Sequence, residues 1–272
     1  MPYKALADRE RKEQEPNRLL ERFRNDFTFR LAQDDATRKR VYRLRYDVYC
    51  AELGYEHPDN PSEHQEHDAH DEHAIQCLVE HRKSGLAAGC VRLVLPQSSE
   101  EGDAQTLPLQ EYGGNSLNHV TLHPSRFCHG SICEISRLAI SPLFRKRSTR
   151  DEIASIVRTN HAFTDAERET FPLIVIGLFL ATYALLGLSK RPHAFAMMEP
   201  RLPRLLRMSG FYFTKVGETI DFHGKRSAFY IDQRRVEKDM HKELMPLYQH
   251  IQSTLAPQIE GALASVATES IY

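Results

Sequence analysis

The stretch Ile-Cys-Glu-Ile-Ser-Arg-Leu-Ala-Ile-Ser-Pro-Leu-Phe-Arg-Lys-Arg-Ser-Thr-Arg, residues 132–150, decides how the chain is read. Its first half alternates as a strand does. Ile132, Glu134, Ser136 and Leu138 share one face, with Cys133, Ile135, Arg137 and Ala139 on the other. A solvent-facing strand would not carry so much Ile and Leu, and a purely structural core strand would not carry Glu and Arg. Ser141-Pro142 ends the strand, because proline has no N–H to give to a ladder. Arg145, Lys146, Arg147 and Arg150 follow, at the mouth of a helix predicted to start near Asp151. Cations at a helix N-terminus make an anion site. The unit therefore predicts an acid on a strand beside a phosphate-sized basic pocket. The competing reading is a structural Glu134–Arg137 ion pair and a solvated basic loop.

At 272 residues the chain can bury a proper core. A formal net charge of -1 argues against a nucleic-acid coat, so basic character is local. Five cysteines without a C-x-x-C pair read as reduced thiols of a cytoplasmic protein. The N-terminus is highly charged and has no apolar core of a secretory signal. Residues 171–188 are uncharged and approach the length of a membrane span, but Pro172, Gly177, Gly187 and the strand-like run after them favour a buried core helix.

Three regions are expected: a charged arm over 1–24, an α/β domain over 25–232, and a helical extension over 233–272. Alternation at Phe27, Phe29 and Leu31 predicts a first strand, and Asp34 or Asp35 caps the helix that follows, which Gly54 ends. Residues 55–73 read as a mobile loop rich in Pro, His and acids. A hairpin over 74–95 turns at Ser84-Gly85, and the long connection 96–131 holds a short helix near 107–112. Beyond the central strand come helices near 151–168 and 172–187, a strand at 192–197, a short helix at 199–208, and strands at 210–216 and 227–232. Val236, Met240, Leu244, Leu247, Ile251 and Leu255 predict one amphipathic tail helix, bent at Pro246. Packing on the domain is its expected role, with peripheral membrane contact or dimerisation as alternatives.

This order of elements resembles GNAT-type N-acyltransferases, a central mixed twisted sheet flanked by helices. Five motifs narrow the likeness to the acyl-homoserine-lactone (autoinducer) synthases, the N-acyl amino acid synthases and, above all, the acyltransferases associated with PEP-CTERM/exosortase systems. Arg45 in Leu-Arg-Tyr-Asp-Val-Tyr49 with Leu53-Gly-Tyr55 resembles their N-terminal Arg-aromatic and Gly-aromatic pattern. Asp68-Ala-His-Asp71 resembles their paired acids, and Gly89-Cys-Val-Arg92-Leu their Gly-x-x-Arg-Leu strand. Glu134-Ile-Ser136-Arg137-Leu138 resembles their Glu-x-Ser-Arg-Phe strand, and Gly210-Phe211 their later Gly-aromatic pair. The usual tryptophans are replaced by Tyr55 and Phe211. The Gly-rich pyrophosphate loop of CoA-using relatives is missing, which turns the resemblance toward an acyl-carrier-protein thioester over acyl-CoA. Arg145, Lys146, Arg147 and Arg150 would then hold its single phosphate and meet the acidic carrier.

The resemblance implies transfer of a fatty acyl group from that thioester to a small amine or amino-acid-like acceptor, with no tightly bound cofactor. The chemistry needs a base for the attacking amine, and Glu134 on its central strand is the candidate. Asp68 and Asp71 would hold the ammonium. Arg45, Arg92 and Arg137 would fix an acceptor carboxylate or order the acids, and backbone N–H groups near 136–140 would stabilise the oxyanion. Ser136 completes the catalytic strand motif. Structural alternatives are an Arg92–Glu134 pair across strands and a capping role for Asp68 and Asp71. Other functional readings are an autoinducer synthase using S-adenosylmethionine and a non-catalytic carrier- or lipid-binding accessory protein. His64, His67, His70 and His73 among acids raise a metal site, but no zincin spacing is present and no metal is assigned.

Overall fold

In the computed structural model, residues 17–58, 60–96, 106–145 and 161–269 are described. Lys146, Arg147, Arg150, the helix start near Asp151 and most of the 1–24 arm lie outside them. Residues 17–26 are helical (α1) and run directly into β1, Phe27–Leu31. Asp34 caps α2, Asp35–Arg45, by accepting from the Thr37 N–H at 2.8 Å, and Tyr46–Glu52 continues it with wider π-type turns.

The hairpin forms as its alternation requires, β2 at Ala74–His81 and β3 at Ala87–Val94. Its turn uses Gly85 at a φ of 68°, a left-handed value that glycine adopts without strain. After α3, Pro108–Gly113, comes the central strand β4, Ile132–Ile140. Then follow α4, Asp165–Thr170; α5, Leu173–Leu188; β5, His193–Met198; and α6, Leu202–Arg207. The sheet is completed by β6, Thr214–Lys215; β7, Ile220–Asp221; and β8, Lys225–Asp232. Its order is β1-β2-β3-β4-β5-β8-β6, with β7 paired to β8. Only β4 and β5 run parallel, so the sheet is mixed. The strand expected at 210–216 is shorter than predicted, because Gly210 to Phe213 are held by turn and aromatic contacts instead.

Two layers cover the sheet. On one face α2 packs Val41, Leu44 and Val48 against Leu78, Cys90 and Ala139. On the other lies α5, whose Leu178 and Ile174 reach the Gly89 backbone of β3. α5 is apolar all round because the C-terminal helices cover its outer side. It is a buried core helix. No helix among the described residues is long and apolar enough to cross a membrane.

The tail departs from the single bent helix expected. It breaks into α7, Gln233–Asp239; α8, Met245–Leu255; and α9, Ile259–Glu269, with Pro246 in the first turn of α8, where its missing N–H costs nothing. Val236, Met240, Leu247, Ile251 and Leu255 are buried on the domain, as their spacing predicts. The motif glycine Gly210 has its reason here. It sits at a φ of 89°, and a Cβ there would lie 2.4 Å from the Asp239 carbonyl oxygen closing α7. Just beyond α8, Gln258 reaches the outer edge of β1, accepting from the Leu31 N–H at 2.9 Å and donating to the Phe29 carbonyl at 3.3 Å.

Leu255 is fully buried beneath α8. Leu255→Ala is expected to lower unfolding free energy by about 2–5 kcal/mol, measured by urea denaturation. A loss under about 0.5 kcal/mol would show that the tail does not belong to the cooperative core.

Candidate active site

The site begins with a departure from regular alternation. Arg92 of β3 lies opposite Ser136, but Cys90 lies opposite Ala139, so β4 carries one extra residue. That residue is Arg137, held at a φ of 49°. The bulge reverses the expected facing. Arg137 turns to the Glu134 and Ser136 side, Ala139 joins the α2 face, and Leu138 packs with the α5 core. The strict alternation read from sequence is corrected at this point, and so is the expected Glu134–Arg137 pair, since Arg137 bonds other acids.

A lattice of three arginines and four carboxylates lies under this face. Arg45, fully buried, donates Nε to Glu66 at 2.5 Å and both terminal nitrogens to Asp71 at 2.6 and 3.0 Å. Arg92 donates Nη1 to Asp68 at 2.5 Å and to Asp71 at 3.1 Å, and its Nε to Ser136 Oγ at 3.0 Å. It therefore bonds the strand neighbour of Glu134 and two aspartates, and the expected Arg92–Glu134 pair is replaced. Arg137 reaches Glu66, Asp68 and Glu56 at 3.0–3.1 Å and stacks over the Tyr49 ring. Asp68 also caps the turn Ala69–His73, with Asp71 accepting from its N–H, so the capping alternative describes their geometry as well. Residues 60–73, expected to be mobile, are pinned by these bonds.

Burial opposes ionisation of Asp71, but the Arg45 and Arg92 guanidiniums outweigh it and hold the carboxyl well below its usual value of 3.8. Asp68 shifts down in the same way, mainly against its own burial and through Arg92. Neither aspartate nor Arg45 lines the neighbouring cavity.

Glu134 stands apart from this lattice. Its side chain is 3 % exposed and one oxygen accepts the Leu109 N–H at 2.7 Å, from the start of α3. Burial pushes its carboxyl up to about 8. The parallel ladder of β4 and β5 ends at the pair Glu134–Phe195. Beyond it the two strands part around a cavity of about 470 Å³. Glu134, Ser136 and Arg137 line one wall and residues 196–199 the other. Leu138, Phe179, Met198, Leu202 and Leu205 give it an apolar end, while Tyr49, Tyr55 and Tyr112 line its polar end.

Arg145 is not the free cation expected at a helix mouth. It donates to the Ile140 carbonyl at 3.0 and 2.7 Å and pairs with Glu52 at 2.5 Å, so its guanidinium closes the end of β4. The four loop histidines go separate ways: His64 meets the Tyr46 ring, His67 the Tyr42 ring, and His70 approaches Glu111 at 3.3 Å. Among the described residues no group of three His, Cys, Asp or Glu side chains is gathered for a metal. Glu66 and Glu56 were missed as site residues, because each sits in a polar run whose burial no periodicity reveals. Arg45, spaced among acids, was the usable signal.

Residues 44–154 match the acetyltransferase (GNAT) domain family. The whole fold is similar to TofI in a ternary complex with an inhibitor and MTA, at 17% identity and a TM-score of 0.53, covering 76% of this chain and 91% of that one. It is also similar to MesI, a CoA-dependent acyl-homoserine lactone synthase, at 18% identity and a TM-score of 0.51, over 78% and 87% of the two chains. FeeM, an N-acyl amino acid synthase from uncultured soil microbes, aligns at 13% identity and a TM-score of 0.50, over 81% and 96%. No curated protein sequence matches the chain significantly. The architecture is that of GNAT-type acyltransferases, an enzyme fold, in the form shared by autoinducer and N-acyl amino acid synthases.

Arg45→Met leaves Glu66 and Asp71 buried without their main counter-charge. It is expected to cost about 3–5 kcal/mol in denaturation, since removing one partner of a buried pair strands the other. Because Asp68 and Asp71 have lowered native pKa values, the stability they add is present above the ordinary carboxylate range. It is lost as pH falls below about 4. A wild-type denaturation midpoint that stays level from pH 6 to pH 3 would contradict the lattice.

Proposed function

We propose that this protein is an N-acyltransferase that moves a fatty acyl group from a thioester to the amine of an amino-acid-like acceptor. The observation that carries the reading is Glu134, a buried carboxyl raised to about 8 and placed at the fork of β4 and β5 on the wall of the cavity. An amine attacks a thioester only as the free base, and a carboxylate with an affinity for protons near that of an amine can take its proton. The apolar end of the cavity, with Phe179, Leu202 and Leu205, suits an acyl chain. Arg137 and Ser136 complete the reactive wall, Arg137 by orienting Glu56 and Ser136 by fixing Arg92. In this reading Arg45, Arg92 and Asp71 order the wall, and Asp68, 23% exposed at its side chain, supplies negative potential toward the incoming ammonium.

The donor is proposed to be acyl-carrier-protein, with acyl-CoA as the alternative. The basic run Arg145, Lys146, Arg147 and Arg150 supports a carrier only through its sequence, since Arg145 is engaged by Glu52. Association with PEP-CTERM/exosortase systems rests on the motifs alone. Five free cysteines suit the cytoplasm.

Mass spectrometry of reactions with acyl-carrier-protein or acyl-CoA and pooled amino acids tests the reading. A new amide is expected. A homoserine lactone formed from S-adenosylmethionine would favour an autoinducer synthase, and carrier binding without product would favour an accessory protein. Glu134→Gln should lower kcat by roughly 10²–10⁴-fold, the usual contribution of a positioned base. The basic form of Glu134 grows as pH rises through about 8. Wild-type turnover should therefore climb with pH and level off above it, and a flat profile would remove Glu134 as the base.

A further inference from the structure

The arginines on the Glu134 side of the cleft are already matched. Arg45, Arg92 and Arg137 face Glu56, Glu66, Asp68 and Asp71, so that wall carries an excess of negative charge. An acceptor carboxylate finds no open fork there. The opposite wall differs. Ser227 of β8 pairs with Met198 at the end of β5, which brings Arg226 onto the cavity lining. Arg226 is half-buried, and its guanidinium carbon lies 5.9 Å from the centre of the Tyr55 ring. Tyr55 is in turn stacked on His223 at 4.9 Å, and Arg226 donates one terminal nitrogen to the His223 carbonyl at 3.3 Å. The fork is thus held in place by a ring and a carbonyl. Among the described residues no carboxylate lies within ion-pair distance of it. Glu199, at the same end of the wall, lies near the exposed Arg201 at 3.9 Å instead.

We propose that Arg226 is the carboxylate-binding residue of the acceptor site, so that the acceptor is an α-amino acid, free or as the methionyl end of S-adenosylmethionine. The cavity separates charge as a zwitterion does. Its acid-rich wall at Glu134 and Glu56 takes the ammonium, and the stacked guanidinium of Arg226 takes the carboxylate by a bidentate, charge-assisted pair. Tyr55 fixes the plane of the fork, which is how an arginine selects carboxylate geometry over a simple anion. Arg226 would position the acceptor without touching the reacting bond. This rests on the acyltransferase reading and adds the acceptor class to it.

The test compares acylation of the twenty amino acids with that of their decarboxylated amines, and S-adenosylmethionine with its decarboxylated form, in wild type, Arg226→Met and Arg226→Lys. Wild type should prefer the carboxylated acceptors. Arg226→Met should reduce that preference by about 10–100-fold through the acceptor KM, the scale of one lost charge-assisted pair. Arg226→Lys should restore part of it. Which pair shows the effect tells a free amino acid from S-adenosylmethionine. An unchanged preference, or a rise in the thioester KM instead, overturns the role of Arg226 and leaves the acyltransferase reading standing. No amide from any acceptor with wild type overturns both.

Discussion

Everything at the site depends on how three buried guanidiniums are neutralised. Taking an ion out of water costs several kcal/mol, and the cost is tolerated only when partners meet every face of the charge. Arg45 meets that condition with Glu66 and Asp71, and Arg92 with Asp68, Asp71 and Ser136. Because the acids come from the loop before β2 and the arginines from α2, β3 and β4, the lattice ties four separate segments together. It also accounts for the backbone at Arg137. A left-handed φ in a non-glycine residue is uncommon and costs of the order of 1 kcal/mol, and here three carboxylates around the guanidinium offset it.

The bulge has a second effect, because it bends β4 just where its ladder with β5 stops. A sheet that opens in its middle exposes strand ends and side chains that a closed sheet would bury. Glu134 sits at the last closed pair, close enough to the core to lose its water and open enough to face a ligand. Its lone backbone donor, from Leu109, is too little to keep it ionised at neutral pH, whereas Asp71, with two arginines, stays charged far below it. Two kinds of carboxyl thus arise a few residues apart in space, one fixed as charge and one able to trade a proton.

Much of this was legible in the chain. Strand alternation at 74–80 and 132–140, the Asp34 cap and the apolar 172–187 helix each follow from local pattern and appear in the structure. What failed to show was anything set by long-range charge matching. The run 55–73 reads as polar and mobile because its acids look solvated, and only distant Arg45, Arg92 and Arg137 reveal otherwise. The Arg137 bulge was invisible for a similar reason, since one added residue leaves the composition of β4 unchanged while reversing its facing. The tail kept its apolar spacing but not its continuity, because Met240 and Leu244 pack equally well across breaks in the helix.

Gln258 deserves a last thought for what it does to the rim of the sheet. β1 is an outermost strand, and its outward N–H and C=O groups would otherwise offer a template to any extended chain. A side-chain amide carries one donor and one acceptor at nearly the spacing of a peptide unit, so Gln258 imitates one rung of a neighbouring strand without being one. The tail is thereby a stopper against edge-to-edge stacking. A chain cut short before it would lay bare both the flank of α5 and this rim, and would collect in inclusion bodies.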